Sequence, residues 1–170
     1  MKLVCDVADM RLRIAKEFID SDIWDVKYVR GGMIDINFIA QYLILKHSCE
    51  YPEILVTNTS DAIVNMSKCG ILDEKSSMEL VFALKLWRRI QGYLRLTFEK
   101  KIIINSVPNE SIRCAISRIV FPEEKHTVEW NSIEEKVRSI ENNVYAYFRT
   151  IIENPTEIVS CKNNHIRNVK

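Results

Sequence analysis

Glycine and proline are scarce in this chain, which has four of each among its 170 residues. Sheets joined by tight turns need these residues to reverse the chain. Their scarcity favours an all-α protein. No sign of charge dominates either, since the formal net charge is +1. A protein that wraps nucleic acid is normally strongly basic, so we expect no nucleic-acid partner.

The sequence also lacks the usual marks of export, membrane insertion and metal binding. It opens without a signal peptide, and no apolar run reaches the length of a membrane span. An odd number of cysteines without close spacing indicates reduced thiols, so we expect a cytoplasmic protein with no metal centre. The cysteines and the scattered histidines are Cys5, Cys49, Cys69, Cys114, Cys161, His47, His126 and His165.

Apolar residues recur at helical spacing along most of the chain. The predicted helices span 6–18, 33–49, 60–69, 72–100, 109–121 and 131–153. We predict a bundle of five to six helices, with helix 33–49 at its centre because it is apolar almost all round. Helices 73–98 and 131–153 should flank it. The expected domain is 1–154, divided into a lead-in helix with its connector (1–32) and the bundle (33–154), followed by a flexible tail (155–170).

Local signals refine these helices. In the first helix the inward residues should be Val7, Met10, Leu12, Ile14 and Phe18, with Arg11, Arg13 and Lys16 between them. The helix at 60–69 should be started by Asn58, Thr59 or Ser60 and end at Gly70, and Asp73 should cap the next helix. On that helix we expect a solvated face that carries Lys85, Arg88, Arg89 and Arg95.

The last predicted helix has the clearest pattern. Asn131 and Glu134 have the spacing of a capping box. An inward stripe should follow, with Glu141 on the outer face. The stripe comprises Ile133, Val137, Ile140, Val144, Phe148 and Ile151.

The stretch "KYVRGGMIDINF" (27–38) holds two adjacent glycines and allows two interpretations. Gly31 and Gly32 could form a positive-φ turn that leads into a buried helix. Alternatively, the amides at the start of that helix, with Lys27 and Arg30, could bind a nucleotide phosphate. On the first interpretation, valine at Gly32 should destabilise the fold, since a β-branched residue is costly at positive φ.

Carboxylates offer little catalytic chemistry. Asp20 and Asp22 have the spacing of a metal-binding pair, but they lie in a stretch better explained as a solvated connector. Asp35 with Asn37 would be a weak magnesium site, and the helix dipole explains an aspartate in a first helical turn. We therefore assign no catalytic residue and no metal site.

The same stretch resembles a motif of the bacterial glutamine synthetase adenylyltransferases, K-x-x-x-G-G-[ILM]-x-D-I-E-F-x-x-Q-Y-L. The flanking segments "DVADMRLRI" and "TSDAIVNMSKCGILDEKSSMELVFALKLWRRIQGYLRL" resemble this family too, so the resemblance covers about 5–100. Beyond that only the helical pattern agrees. The matching positions are Lys27, Gly31, Gly32, Asp35, Ile36, Phe38, Gln41, Tyr42 and Leu43.

The resemblance implies the C-terminal helical domain of an enzyme that attaches AMP to a tyrosine of glutamine synthetase. Related helical domains follow the catalytic domain in PII uridylyltransferases. For the intact enzyme it implies ATP, magnesium, glutamine synthetase and the PII protein as cofactors and partners. In this domain it points to Lys27, Arg30, Gly31, Gly32, Asp35 and Asn37 as residues for phosphate binding or interdomain contact.

Two departures from the family pattern matter. The nucleotidyltransferase domain with its Gly-Ser turn and Asp-x-Asp metal site is absent from this sequence, and Asn37 replaces the motif's glutamate. Three hypotheses remain open: an accessory domain of an adenylyltransferase, a free-standing helical interaction module, and a small magnesium-dependent enzyme using Asp20, Asp22 or Asp35. The last lacks a complete constellation, so we expect no activity from the chain alone.

Overall fold

The computed structural model describes residues 2–18, 22–97 and 108–156. These residues form six α-helices and no strand, which confirms the all-α prediction. The helices are α1 (Lys2–Glu17), α2 (Met33–His47), α3 (Thr59–Lys68), α4 (Glu74–Thr97), α5 (Glu110–Val120) and α6 (Trp130–Phe148). Asp20, Cys161, His165 and the predicted tail from 157 onward lie outside the described residues.

Helix α2 occupies the middle of the bundle, where it packs against α1, α3, α4 and α6. Ile36 and Ile39 on this helix are completely buried. Burial does not extend all round α2, however, since Leu45 is 63% exposed near its C-terminal end. Helix α4 shares the central position, because it packs against α2, α3, α5 and α6 and buries Leu84 and Trp87 completely.

The predicted start and end of α3 and the predicted cap at the start of α4 are confirmed. The Asn58 side chain accepts a hydrogen bond of 2.9 Å from the Ser60 amide and caps α3. Gly70 follows α3 with a φ of 72°, a left-handed conformation that glycine adopts at low cost. Asp73 accepts a hydrogen bond of 2.9 Å from the Ser76 amide at the start of α4.

The predicted capping box of α6 was wrong. The helix begins at Trp130, so Asn131 lies inside its first turn rather than at the cap position. Glu134 instead accepts a hydrogen bond of 2.9 Å from the indole Nε1 of Trp130. The Trp130 ring stacks on Trp24 of the connector at a centroid distance of 4.8 Å. The indole thus takes the carboxylate that a capping box would use.

A π-helical turn, Arg149–Glu153, continues α6 and changes which residues face the core. Ile152 is completely buried, whereas the predicted Ile151 is partly exposed. A π turn holds one residue more than an α turn, so the inward position moves one residue along the chain. Residues 154–156 remain helical, so helix extends into the start of the predicted tail.

The connector and α1 bury different residues from those expected. The connector was predicted to be solvated, but Ile23, Trp24 and Val26 belong to the core. Helix α1 begins at residue 2 and buries Arg11, while the predicted inward residues Met10 and Leu12 are exposed. In the part of the chain that the structure describes, no helix combines the length and apolarity required to cross a bilayer.

Candidate functional site

Asp35, in the first turn of α2, is completely buried and forms an ion pair with the equally buried Arg11 of α1. The Arg11 Nε donates to one Asp35 carboxylate oxygen. The amide of Gly31 donates to the other at 2.6 Å. The sequence analysis explained Asp35 by the helix dipole and did not predict its ion pair with Arg11. We call Arg11, Asp35 and the connector backbone around Gly31 the ion-pair site.

Arg11 also binds the connector. Its Nη2 donates to the carbonyl oxygens of Tyr28 at 2.9 Å and Val29 at 3.2 Å. One guanidinium on α1 therefore holds both the connector backbone and the first turn of α2. This arrangement satisfies the Asp35 carboxylate and the two connector carbonyls, while Arg11 Nη1 has no hydrogen-bond partner among the described residues.

Gly31 is required by its conformation and by its surroundings. Its φ is +81°, and a Cβ added to it would lie 1.9 Å from the Glu141 carbonyl oxygen of α6. The Gly31 carbonyl oxygen accepts a hydrogen bond of 3.2 Å from the indole Nε1 of Trp87 on α4. Helices α4 and α6 therefore meet the ion-pair site at this glycine.

Gly32 was expected to need positive φ, and this reason was wrong. Its φ is −80°, which any residue can adopt. The obstacle to a side chain at Gly32 is packing, since an added Cβ would lie 2.6 Å from the Val26 carbonyl oxygen and 2.8 Å from that of Val29. Valine at Gly32 is still expected to destabilise the protein, but through this steric conflict.

The amides at the start of α2 are already bonded within the chain. Besides the Gly31 amide, those of Gly32, Met33 and Ile34 donate to the carbonyl oxygens of Val29, Val26 and Lys27, at 2.9, 2.8 and 3.2 Å. A phosphate would have to displace these acceptors. The geometry therefore favours the structural interpretation of the glycine pair.

The two basic residues of this stretch, Lys27 and Arg30, lie nearer the surface and have partners of their own. Lys27 Nζ donates to the Tyr28 hydroxyl at 2.9 Å. Arg30 forms an ion pair of 2.8 Å with Glu153 of the π turn. The Arg30 guanidinium also lies over the Tyr145 ring, 5.1 Å from its centroid. The two cations thus do not converge on an open anion site with the glycine amides.

Asn37 faces a different part of the fold from Asp35. Its Oδ1 accepts a hydrogen bond of 3.3 Å from the Thr59 hydroxyl at the start of α3. Residues two positions apart on a helix do not face each other. The sequence analysis considered the two side chains together as a weak magnesium site, whereas the structure gives each its own partner.

Two buried carboxyls have perturbed acidity. Burial raises the pKa of Asp35, while the Arg11 charge and the hydrogen bonds from Arg11 and Gly31 oppose that rise. Burial likewise raises the pKa of Glu141 to about 8, with a smaller opposing contribution from Arg138 and a small further rise from Asp22. Glu141 was predicted to lie on the outer face of α6, but it is buried and its Oε1 has no hydrogen-bond partner among the described residues.

Across residues 2–18, 22–97 and 108–156, no group of three or more histidine, cysteine or acidic side chains is placed to hold a metal ion. Asp22 is partly buried, and its predicted partner Asp20 lies outside the described residues. The site residues from the sequence therefore divide in two. Gly31, Gly32 and Asp35 meet in the ion-pair site, while Lys27, Arg30 and Asn37 contact other neighbours.

These features define an all-α domain whose lead-in helix is joined to the bundle by a buried Arg–Asp pair. Over most of its length the chain is homologous to part of the bifunctional glutamine synthetase adenylyltransferase/adenylyl-removing enzymes. It is 35% identical over 147 residues to the enzyme of Rhodopseudomonas palustris strain TIE-1. It is 34% identical over 148 residues to that of Bradyrhizobium diazoefficiens.

The alignments cover 86% and 87% of this chain but only 14% of each relative. The similarity therefore extends beyond 5–100, the part on which the motifs were recognised. The rest of the relatives' length has no counterpart in this chain. No protein-family model matches the sequence, and no solved structure matches it.

Proposed function

We propose that this chain is an accessory helical domain that acts with a nucleotidyltransferase domain to attach AMP to glutamine synthetase. The observation that carries the proposal is the ion-pair site. The motif residue Asp35 is held there by Arg11, which lies in the family-like segment before the motif, and by the amide of the motif residue Gly31. The homology over 147 residues supports the same assignment.

The domain's role in this proposal is to position, not to catalyse. Transfer of an adenylyl group needs carboxylates that hold magnesium at the transferred phosphate, where charge develops. The described residues offer no such cluster. We therefore assign ATP and magnesium to the nucleotidyltransferase domain. Relative to this chain, that domain is a separate or an adjoining part of the enzyme.

The ion-pair site gives a physical means of positioning. Arg11 joins α1, the connector and α2, so α1 and the bundle move as one body. A catalytic domain that contacts α1 or the connector would then be held at a fixed orientation to the whole bundle. Lys27 and Arg30, two partly exposed residues of the connector, are the residues we propose for that interdomain contact. We further propose that the protein acts in the cytoplasm and that its partners are glutamine synthetase and the PII protein.

The test is a hybrid enzyme in which this chain replaces the homologous segment of the R. palustris relative. The assay contains labelled ATP, magnesium and purified glutamine synthetase. We expect the hybrid to label the synthetase, and neither the chain alone nor the relative without its segment to do so. A folded hybrid without activity would contradict the proposal and leave the interaction module as the better hypothesis.

A control addresses the carboxylates that we have set aside. If the chain alone labelled glutamine synthetase, and the Asp20→Ala, Asp22→Ala double variant did not, the catalytic site would lie within the chain. That result would replace the accessory role with the magnesium-dependent enzyme hypothesis.

A further inference from the structure

One face of α4 is exposed along almost the whole helix. Its residues follow one another at alternating spacings of four and three, which places them in a single line on the helix surface. Met78 is 65% exposed, Phe82 52% and Leu96 91%. We call this line the α4 stripe; it consists of Met78, Phe82, Lys85, Arg89, Gly92 and Leu96.

The centre of the α4 stripe is basic. Lys85 and Arg89 are exposed, and no described carboxylate lies within 4.0 Å of either cation. Arg88 and Arg95 add two exposed cations beside the stripe, and α4 contains no acidic residue after Glu79. A surface that combines exposed apolar side chains with uncompensated cations is suited to an acidic, partly apolar partner.

Gly92 is an independent sign of a partner. Glycine in the interior of an exposed helix makes the helix less stable than alanine would, so its presence there normally has a specific reason. At Gly92 a Cβ would meet no described atom within 4 Å, so the described fold does not require glycine there. A small residue in the line of contact lets a neighbouring backbone approach closely.

We propose that the α4 stripe docks onto an acidic, partly apolar surface of the nucleotidyltransferase part of the enzyme. This inference rests on the proposed function. Charge argues against other occupants. A second copy paired along the same face would bring Lys85 and Arg89 close to their own counterparts. The chain's undescribed segments 98–107 and 157–170 are net basic by composition.

The size of the stripe also favours a domain of the same enzyme. From Met78 to Leu96 the stripe is roughly 27 Å long, and with a helix width of about 10–12 Å this gives an interface of about 600 Å² counted over both partners. That area is at the lower limit for contacts between domains of one chain and well below the ~1,200 Å² of a stable complex between separate proteins. In an enzyme whose parts are covalently linked, such as the hybrid, a small interface is sufficient because linkage raises the effective concentration to about the millimolar range.

The experiment compares the reactivity of lysines in the free chain and in the R. palustris hybrid, using an amine-acylating reagent and peptide mass spectrometry. Lys85 lies in the stripe, and Lys136 is an exposed lysine on α6. We expect Lys85 to react about tenfold more slowly in the hybrid than in the free chain, as for a site occupied most of the time by a tethered partner. Lys136 should react equally in both.

Two hybrid variants test whether the stripe itself makes the contact. Phe82→Ser with Arg89→Glu should restore Lys85 to the reactivity of the free chain. The matched control, Leu55→Ser with Lys68→Glu, changes one exposed apolar and one exposed basic residue outside α4 and should leave Lys85 protected. Raising the salt concentration should also increase Lys85 reactivity in the unaltered hybrid, because screening weakens the charged contact.

The outcomes separate this inference from the proposed function. An active hybrid with Lys85 as reactive as in the free chain would overturn the docking surface and leave the proposed function standing. An inactive hybrid with Lys85 protected would support the surface and contradict the function. Protection of Lys85 in the free chain, with a dimer in sedimentation, would identify a second copy as the occupant and overturn the inference. A second hybrid, built in the B. diazoefficiens relative, provides the same readouts if the first does not fold.

Discussion

Replacing either partner of the Arg11–Asp35 pair should destabilise the protein strongly. Asp35 accepts one hydrogen bond from the Arg11 guanidinium and one from the Gly31 amide, and both side chains are buried. Asp35→Asn would leave the Arg11 charge in the core without a counter-charge. Arg11→Met would leave the Asp35 charge in the same position and remove the donor to the Tyr28 and Val29 carbonyls.

The magnitude follows from burial. Leaving one charge of a buried pair uncompensated costs about 3–5 kcal/mol. That is a large part of the roughly 5–15 kcal/mol that stabilises a typical domain. The double variant, Arg11→Met with Asp35→Asn, contains no orphaned charge at this position. Its destabilisation should therefore be smaller than the sum of the two single effects by about 1–3 kcal/mol.

Urea unfolding followed by far-ultraviolet circular dichroism measures these free energies. Arg13→Met is the matched control, since Arg13 lies on the same helix but is exposed, and it should change stability by no more than about 0.5 kcal/mol. The reasoning is refuted if each single variant at the pair costs less than about 1 kcal/mol, or if the double variant shows simple additivity.

Two further predictions concern the glycines and Glu141. Alanine substitution should cost at least about 3 kcal/mol at Gly31, where φ is +81° and a Cβ would meet the Glu141 carbonyl. Alanine should cost only about 1 kcal/mol at Gly70, where φ is +72° but the space is open. At Gly92 alanine should stabilise the free chain by about 0.5–1 kcal/mol. Thermal unfolding that ranked the three variants otherwise would contradict these expectations. Burial raises the pKa of Glu141 from 4.5 to about 8. Between these pH values the folded protein holds a proton that the unfolded chain releases. The stability that the protonated Glu141 contributes is therefore complete below pH 4.5 and is lost as the pH rises to about 8. Glu141→Gln should remove a slope of up to about 1.4 kcal/mol per pH unit across that window, and parallel stability curves for variant and wild type between pH 5 and 9 would show that Glu141 does not titrate as described.

Local rules predicted much of the fold. The start of α3 at 58–60, its end at Gly70 and the cap at Asp73 each depend on residues close together in sequence, and the structure confirms them. The ion-pair site could not be predicted in the same way. Arg11 and Asp35 are 24 residues apart, and a charged side chain between apolar neighbours is ordinarily assigned to solvent.

The other errors share a physical cause, because in each a tertiary contact outweighed a local preference. Glu134 fits a capping box in sequence, but the Trp130 indole takes its carboxylate. Glu141 fits the outer face of α6 by composition, yet its backbone covers Gly31 and its side chain lies in the interior. The residues around Glu141 in the sequence do not reveal that its backbone packs against a glycine of another element.

The π-helical turn makes α6 tolerant of a change in length. Deleting a residue from an ordinary helix rotates everything beyond it by about a quarter of a turn and moves its apolar face away from the core. Here the wide turn Arg149–Glu153 already holds a surplus residue, and Thr150 within it is exposed. Without Thr150 the turn can close to an ordinary α-helix while Ile152 still points inward. A deletion of one residue at this place therefore shortens the helix without changing which of its side chains form the core.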